Sequence, residues 1–200
     1  EAVDAVVEWY AARGRRALIN TPLPLAAPVN AALDARGWGA RPLTLVQTAR
    51  VAALVEAPAR PELPGVELAD RPTDAWFAMV AEHKGTLPAT AERILTGVPE
   101  SVFAHVHDPA GELVAVARGA ITTGTPGGTR WLGIALLQTA PSARRGGLGA
   151  HVVRALARWA HQSGAHRAYL QVEERNTPAV TLYQKLGFTT HHTYLTREAP

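Results

Sequence analysis

Trp131-Leu132-Gly133-Ile134-Ala135-Leu136-Leu137-Gln138-Thr139-Ala140-Pro141-Ser142-Ala143-Arg144-Arg145-Gly146-Gly147-Leu148-Gly149-Ala150 passes from a mostly apolar run, through arginine and glycine, into helix-forming sequence. The pattern predicts a strand over 130–139, a short loop, and a helix over 147–163 that Gly164 ends. The first turn of a helix leaves several N–H groups without partners. Aligned peptide dipoles add about half a positive charge there. Glycines let an anion approach the backbone closely, and Arg144 and Arg145 add formal charge. The chemistry this suits is pyrophosphate or a similar anion. Two competing phosphate motifs fail. The chain has no Gly-x4-Gly-Lys-Ser/Thr, and Val152 stands where a dinucleotide fingerprint needs its third glycine.

Working outward, Ser101–His107 and 112–122 read as strands joined by the turn Asp108-Pro109-Ala110-Gly111. A second turn is expected over 124–128. A strand over 66–69 and a helix capped at Thr73 or Asp74 precede them, with a helical turn over 90–96. Downstream come a strand over 168–172, a helix over 177–186 stopped by Gly187, and a final strand over 188–196. The first fifty residues read as helix (1–14), strand (17–20), a loop at Thr21-Pro22-Leu23-Pro24, helix (28–36) and strand (43–48). Residues 56–65, with three prolines and a glycine, read as a linker.

The loop after the long strand resembles the acyl-CoA-binding motif of the GNAT superfamily of N-acyltransferases, Arg/Gln-x-x-Gly-x-Gly/Ala, filled here by Arg144, Gly147 and Gly149. About thirty residues on, Asn176, Ala179, Leu182, Tyr183, Gly187 and Phe188 match the family's Asn-x-x-Ala-x-x-Leu-Tyr-x-x-x-Gly-Phe. The resemblance covers roughly 65–197. It implies an α/β (α+β) GNAT fold: a central, mixed, mostly antiparallel and splayed sheet flanked by helices. The first fifty residues look like the degenerate GNAT-like segment that some actinobacterial proteins place before an active one. The expected domains are a half-unit (1–55), a linker (56–65) and the acyltransferase domain (66–200).

The resemblance also implies roles. Backbone groups of Leu137, Gln138 and Thr139 would pair with the pantetheine. The segment Arg144, Arg145, Gly146, Gly147, Leu148, Gly149 and Ala150 would hold the pyrophosphate. Asn176 would touch the pantetheine arm, and Tyr183 would protonate the leaving thiolate, a role that suits a phenol. Acetyl-CoA is the expected donor and a small-molecule or amino-acid amine the expected acceptor, by direct attack. Relatives often carry a glutamate on the strand before the phosphate loop. This chain has Gly133, Ala135 and Leu136 there, which leaves Glu173, His105 and His107 as base candidates. The alternative is an acyl-CoA-binding sensor without catalysis. Trp76, Phe77 and Met79 could wall the acceptor site or pack the core.

Composition narrows the field. The 200 residues are 47% hydrophobic, 18% charged and 6% aromatic, with no cysteine and a net charge of +3. Disulfides, a thiol nucleophile and thiolate zinc are excluded. His105 and His107 lack an evident third ligand, so no metal is expected. No basic run with interleaved aromatics points to nucleic acid, and no apolar stretch reaches membrane length. No signal peptide is visible at Glu1-Ala2-Val3-Asp4, so a cytoplasmic chain is expected, with native residues missing before Glu1. Shifted by 150, Trp9 meets Trp159, Gly14 meets Gly164, Gly37 meets Gly187 and Trp38 meets Phe188. Both tryptophans, Trp9 and Trp159, are expected in the core. Only a short tail follows Phe188, so the strand over 43–48, or a partner chain in a homodimer, is expected to fill the sheet edge.

Overall fold

A computed structural model describes residues 1–56, 58, 60–85, 87–124 and 128–200, His83 and Lys84 through their backbone only. In chain order the elements are α1 (Ala2–Ala11), β1 (Leu18–Leu23), α2 (Ala27–Asp34), β2 (Gly39–Ala40), β3 (Thr44–Arg50), α3 (Val51–Val55), β4 (Glu67–Ala69), α4 (Asp74–Lys84), α5 (Ala91–Thr96), β5 (Ser101–His107), β6 (Leu113–Thr123), β7 (Arg130–Thr139), α6 (Leu148–Gln162), β8 (Arg167–Glu173), α7 (Thr177–Lys185) and β9 (Thr189–Glu198). A 3-10 turn, Pro141–Ala143, lies between β7 and α6. The fold is mixed α/β with mostly antiparallel strand pairing. The expected turn at 124–128 and linker at 56–65 fall partly outside the described residues.

The chain forms two compact units. One comprises 1–47, 171–180 and 190–200; the other comprises 48–170 and 181–189. In the first, β1 runs antiparallel to β9 from Leu18↔Glu198 to Leu23↔Thr193, and β2 also pairs with β9. The strand order is β1-β9-β3-β8. β3 is therefore inserted between β8 and β9 rather than placed at an edge. Leu33, Trp38, Ala17 and Ala199 form the core of this unit. Arg197, 3% exposed, donates to the Trp38 carbonyl at 2.7 Å and ion-pairs with Asp34.

Two expectations fail in this unit. Thr21-Pro22-Leu23 is strand, not loop: β1 is an edge strand, where a residue without an N–H is tolerated. Trp9 is 54% exposed, with the Arg13 guanidinium 3.7 Å from its ring centroid; α1 buries none of its residues.

In the second unit β4, β5, β6 and β7 are successively antiparallel, and β8 joins parallel to β7 over Trp131–Ile134 and Arg167–Leu170. The hairpin at 108–111 forms as read, with Asp108 Oδ1 accepting from the Ala110 and Glu112 amides. α6 is amphipathic. It buries Leu148, Val152, Val153, Ala155, Leu156, Ala157 and Ala160, at about 1.5–3 kcal/mol for each large side chain. Gly119 on β6 makes room for Leu156 and Trp159; a Cβ there would sit 2.9 Å from Leu156 Cδ2. Trp159 packs on the sheet at Gly119 but is half-buried rather than part of the core. On the opposite face α4 sets Trp76 against Phe103, ring centroids 5.4 Å apart, with Met79, Val80 and Val116. α3 was not legible beforehand: its five residues are too few for a helical period to show.

Candidate functional site

β7 carries a bulge before its end. The register passes from Arg118↔Ala135 to Val116↔Gln138, so an extra residue of β7 is accommodated, and Leu136 takes φ 56°. A left-handed leucine is strained, and such strain and bulges concentrate at functional positions. Leu137, Gln138 and Thr139 follow at once, half-buried. Nothing in the sequence announced the bulge, because Leu136 is an ordinary strand residue.

The loop after β7 folds back on it. Arg144 Nε donates to the Thr139 carbonyl at 3.2 Å. Arg145 has φ 64° and Gly147 φ 93°, and Arg144, Arg145 and Gly146 are exposed. α6 begins directly after Gly147, and no side chain caps it. Its positive end is thus presented by small or exposed residues. Gly149 lies within the first turn, where a Cβ would stand 3.0 Å from Leu182 Cδ2 and 3.8 Å from Leu137 Cδ2. The glycine therefore lets α6, α7 and the end of β7 meet. Arg60 reaches the same place, its Nη1 3.4 Å from where a Gly147 Cβ would be. Arg60, His151, Arg154 and Arg158 line a hollow of about 280 Å³. The surroundings are cationic.

Tyr183 lies on α7, 8% exposed, its ring 5.8 Å from that of Phe188. Burial pushes its phenol up to about 12, so it stays protonated at neutral pH. Glu173 and Asn176 belong to the first unit. Glu173 Oε2 accepts from Arg175 Nε at 2.7 Å, and Asn176 Oδ1 accepts from the Ala179 amide at 3.3 Å, capping α7. His105 is 3% exposed. Its Nδ1–H donates to the Phe103 carbonyl at 3.1 Å, leaving Nε2 3.5 Å from Thr73 Oγ1, and burial lowers its pKa. His107 stacks beside it, centroids 6.5 Å apart. Among the described residues no group of three His, Asp or Glu could hold a metal ion, and no helix is long and apolar enough to cross a membrane.

Sequence reading passed over two residues. Arg118 stands in the middle of apolar β6 and donates from Nε to the Leu95 carbonyl at 2.8 Å. Tyr169 on β8 lies over Gly133, where a Cβ would come within 2.8 Å of its hydroxyl. An arginine interrupting an apolar strand was the available signal.

Comparison with known proteins gives the family. Residues 1–196 match the family model described as "Probable histone acetyltransferase Rv0428c C-terminal". The chain is 35% identical over 200 residues to a mycothiol acetyltransferase of Salinispora tropica, covering 88% of this chain and 63% of that protein. It is 33% identical over 128 residues to "Probable histone acetyltransferase Rv0428c" of Mycobacterium tuberculosis, covering 64% of this chain and 38% of that protein. It thus spans from about a third to under two thirds of these curated relatives. A GCN5-related N-acetyltransferase from Kribbella flavida superposes with a TM-score of 0.73 at 18% identity, covering 100% of this chain and 74% of its own. A tandem GNAT protein from the clavulanic acid biosynthesis pathway superposes with a TM-score of 0.69 at 19% identity, covering 96% and 66%. The chain belongs to the Rv0428c C-terminal acetyltransferase family and shares the fold of GNAT proteins.

Proposed function

We propose that the chain is an acyl-CoA-dependent N-acyltransferase that moves an acetyl group from acetyl-CoA to a primary amine of a small molecule or amino acid. The observation that carries this reading is the uncapped start of α6, presented by Gly147 and Gly149 directly behind the bulge of β7. The amides of residues 145–150 hold the pyrophosphate, with Arg144 and Arg145 adding charge. Backbone groups of Leu137, Gln138 and Thr139 orient the pantetheine and the thioester carbonyl, and Asn176 contacts the arm. The names of relatives, mycothiol acetyltransferases among them, support acetyl transfer.

The free amine attacks the thioester carbon directly. The N–C bond forms, and the tetrahedral intermediate collapses with cleavage of the C–S bond. Tyr183 gives its proton to the leaving sulfur, and the nitrogen loses its extra proton to Glu173. Both side chains then exchange protons with water. Positioning and carbonyl polarisation supply most of the acceleration.

The test is release of free CoA thiol from acetyl-CoA across a panel of amino acids, amino sugars, simple amines and a histone-tail peptide. Release that depends on one class of amine establishes transfer and names the acceptor. Acetyl-CoA binding without release from any of them supports the sensor reading instead.

A further inference from the structure

The face of the sheet opposite α6 is open at Ala135, beside the bulge. Direct strand partners point their side chains to the same face. Phe103, Arg118 and Ala135 are successive partners across β5, β6 and β7, and Gly133, two residues from Ala135, pairs with Tyr169. All five positions therefore share one face. That face is the one α4 covers at Phe103, while the neighbouring Gly119 faces Leu156 and Trp159 of α6. Cover reaches β7 at Leu136, which packs on the α4 cluster, but leaves Ala135 exposed in mid-strand just before the bulge. An exposed alanine inside a central strand marks a floor that none of the described residues covers.

Polar side chains flank this open position. Arg118 enters from one side, half-buried, its Nε committed to the Leu95 carbonyl. That bond fixes the guanidinium plane and leaves the two terminal nitrogens as donors. Among the described residues no carboxylate pairs with it. Burial lowers its pKa, while Tyr169 acts in the other direction, so the phenol lies within electrostatic reach. Tyr169 enters from the other side. Gly133 is what admits its hydroxyl, and Trp131 holds its ring edge-on with centroids 6.3 Å apart. A half-buried, unpaired guanidinium beside a phenol, over an apolar floor, is a site for a planar anion. The donor's pyrophosphate is excluded as its occupant, because α6 packs on the opposite face.

We propose that Arg118 and Tyr169 hold a carboxylate of the acceptor, so that the amine acetylated belongs to a molecule that also bears an acid, such as an amino acid or an amino-carboxylate. This rests on the transferase reading and narrows its acceptor class. The carboxylate anchors on Arg118 over Ala135, and the amine is directed along β7 toward the bulged segment where the thioester is held.

The test has two arms. In the first, 15N-labelled protein with bound CoA is titrated with 4-aminobutyrate and with butylamine, and the Arg118 Nε–H resonance is followed. The expected result is saturable displacement by 4-aminobutyrate and none by butylamine. Equal or absent displacement for both, repeated with glycine and with glutamate, overturns the proposal. This arm needs no turnover, so it reports even if the transferase reading fails. In the second arm, thiol release is compared for wild type, Arg118→Gln, Arg118→Lys and Tyr169→Phe. Arg118→Gln should raise KM for carboxylate-bearing amines roughly 10- to 100-fold and leave KM for the matched plain amines unchanged. Arg118→Lys keeps charge near Leu95, guards against misfolding, and should recover part of the loss. Equal losses for both kinds of amine in Arg118→Gln, at unchanged acetyl-CoA affinity, would make Arg118 a merely structural residue and overturn the proposal. Failure of wild type to bind acetyl-CoA would strike the transferase reading and with it the acceptor role, while the first arm, run without CoA, would still decide whether Arg118 takes a carboxylate.

Discussion

Two stretches of this chain, 150 residues apart, end their helices in the same way and differ in what the helices carry. At Gly14 and Gly164 the glycine has φ 63° and 78°, and the next amide reaches back five residues, Arg15 to Tyr10 at 3.1 Å and Ala165 to Ala160 at 2.8 Å. At Gly37 and Gly187, φ is 71° and 87°, with Trp38 bonded to Leu33 at 3.1 Å and Phe188 to Tyr183 at 3.0 Å. These are Schellman ends, and only glycine takes that conformation without strain. The aromatic that follows each second stop is buried, Trp38 at 6% and Phe188 at 2%. The side chains between differ. Where α7 is capped by Asn176 and carries Tyr183, α2 follows Ala26, without a side-chain cap, and carries fully buried Leu33. The frame is common to both stretches. The proposed chemistry sits in side chains that only the second possesses.

The sharpest way to break this comparison is Tyr183→Phe, which keeps the ring against Phe188 and removes the proton. It should lower kcat for thiol release by about 100-fold or more while leaving acetyl-CoA affinity within about twofold. An unchanged kcat would make Tyr183 a packing residue, as Leu33 is. The complementary change, Leu33→Ala, should cost about 2–5 kcal/mol in urea unfolding, and the folded protein should still bind acetyl-CoA normally. Lost affinity in the folded variant would mean that the first stretch serves more than packing.

Alkaline stability gives a smaller effect. In the unfolded chain Tyr183 ionises near its ordinary 10.0, and in the folded chain near 12. Stability is therefore full below pH 10 and falls as pH rises toward 12, by on the order of 2 kcal/mol. Tyr183→Phe should flatten that fall; the same slope in both proteins contradicts the burial argument. Smallest is Asn176→Ala. Loss of the α7 cap should cost about 1 kcal/mol by thermal melting. No measurable change would show that α7 needs no side-chain cap, as α2 does without one.

Much of the fold was legible because glycine stops, the Asp108-to-Gly111 turn and the period of α6 are local signals. The insertion of β3 between β8 and β9 was not legible, since pairing partners far apart in sequence leave no local pattern. Pro22 misled for a related reason: whether a proline is tolerated in a strand depends on edge position, which the sequence does not display. Trp9 misled because aromatic character suggests burial, whereas Arg13 covers part of it at the surface. The loop before α6 could be read from its glycines and arginines. Arg118 and Tyr169 could not, because their juxtaposition across three strands depends on Gly133 and on register.

The most direct measurement is calorimetric titration of acetyl-CoA into wild type and Gly147→Trp, each checked for fold by circular dichroism. Gly147 stands immediately before α6 with φ 93°, so a bulky side chain there obstructs the approach to the helix start and adds roughly 1–2 kcal/mol of backbone strain. The account predicts saturable one-site binding by wild type and none by a folded Gly147→Trp. A folded wild type that does not bind acetyl-CoA, or a variant that binds it equally well, would contradict the assignment of the α6 start as the acyl-CoA site.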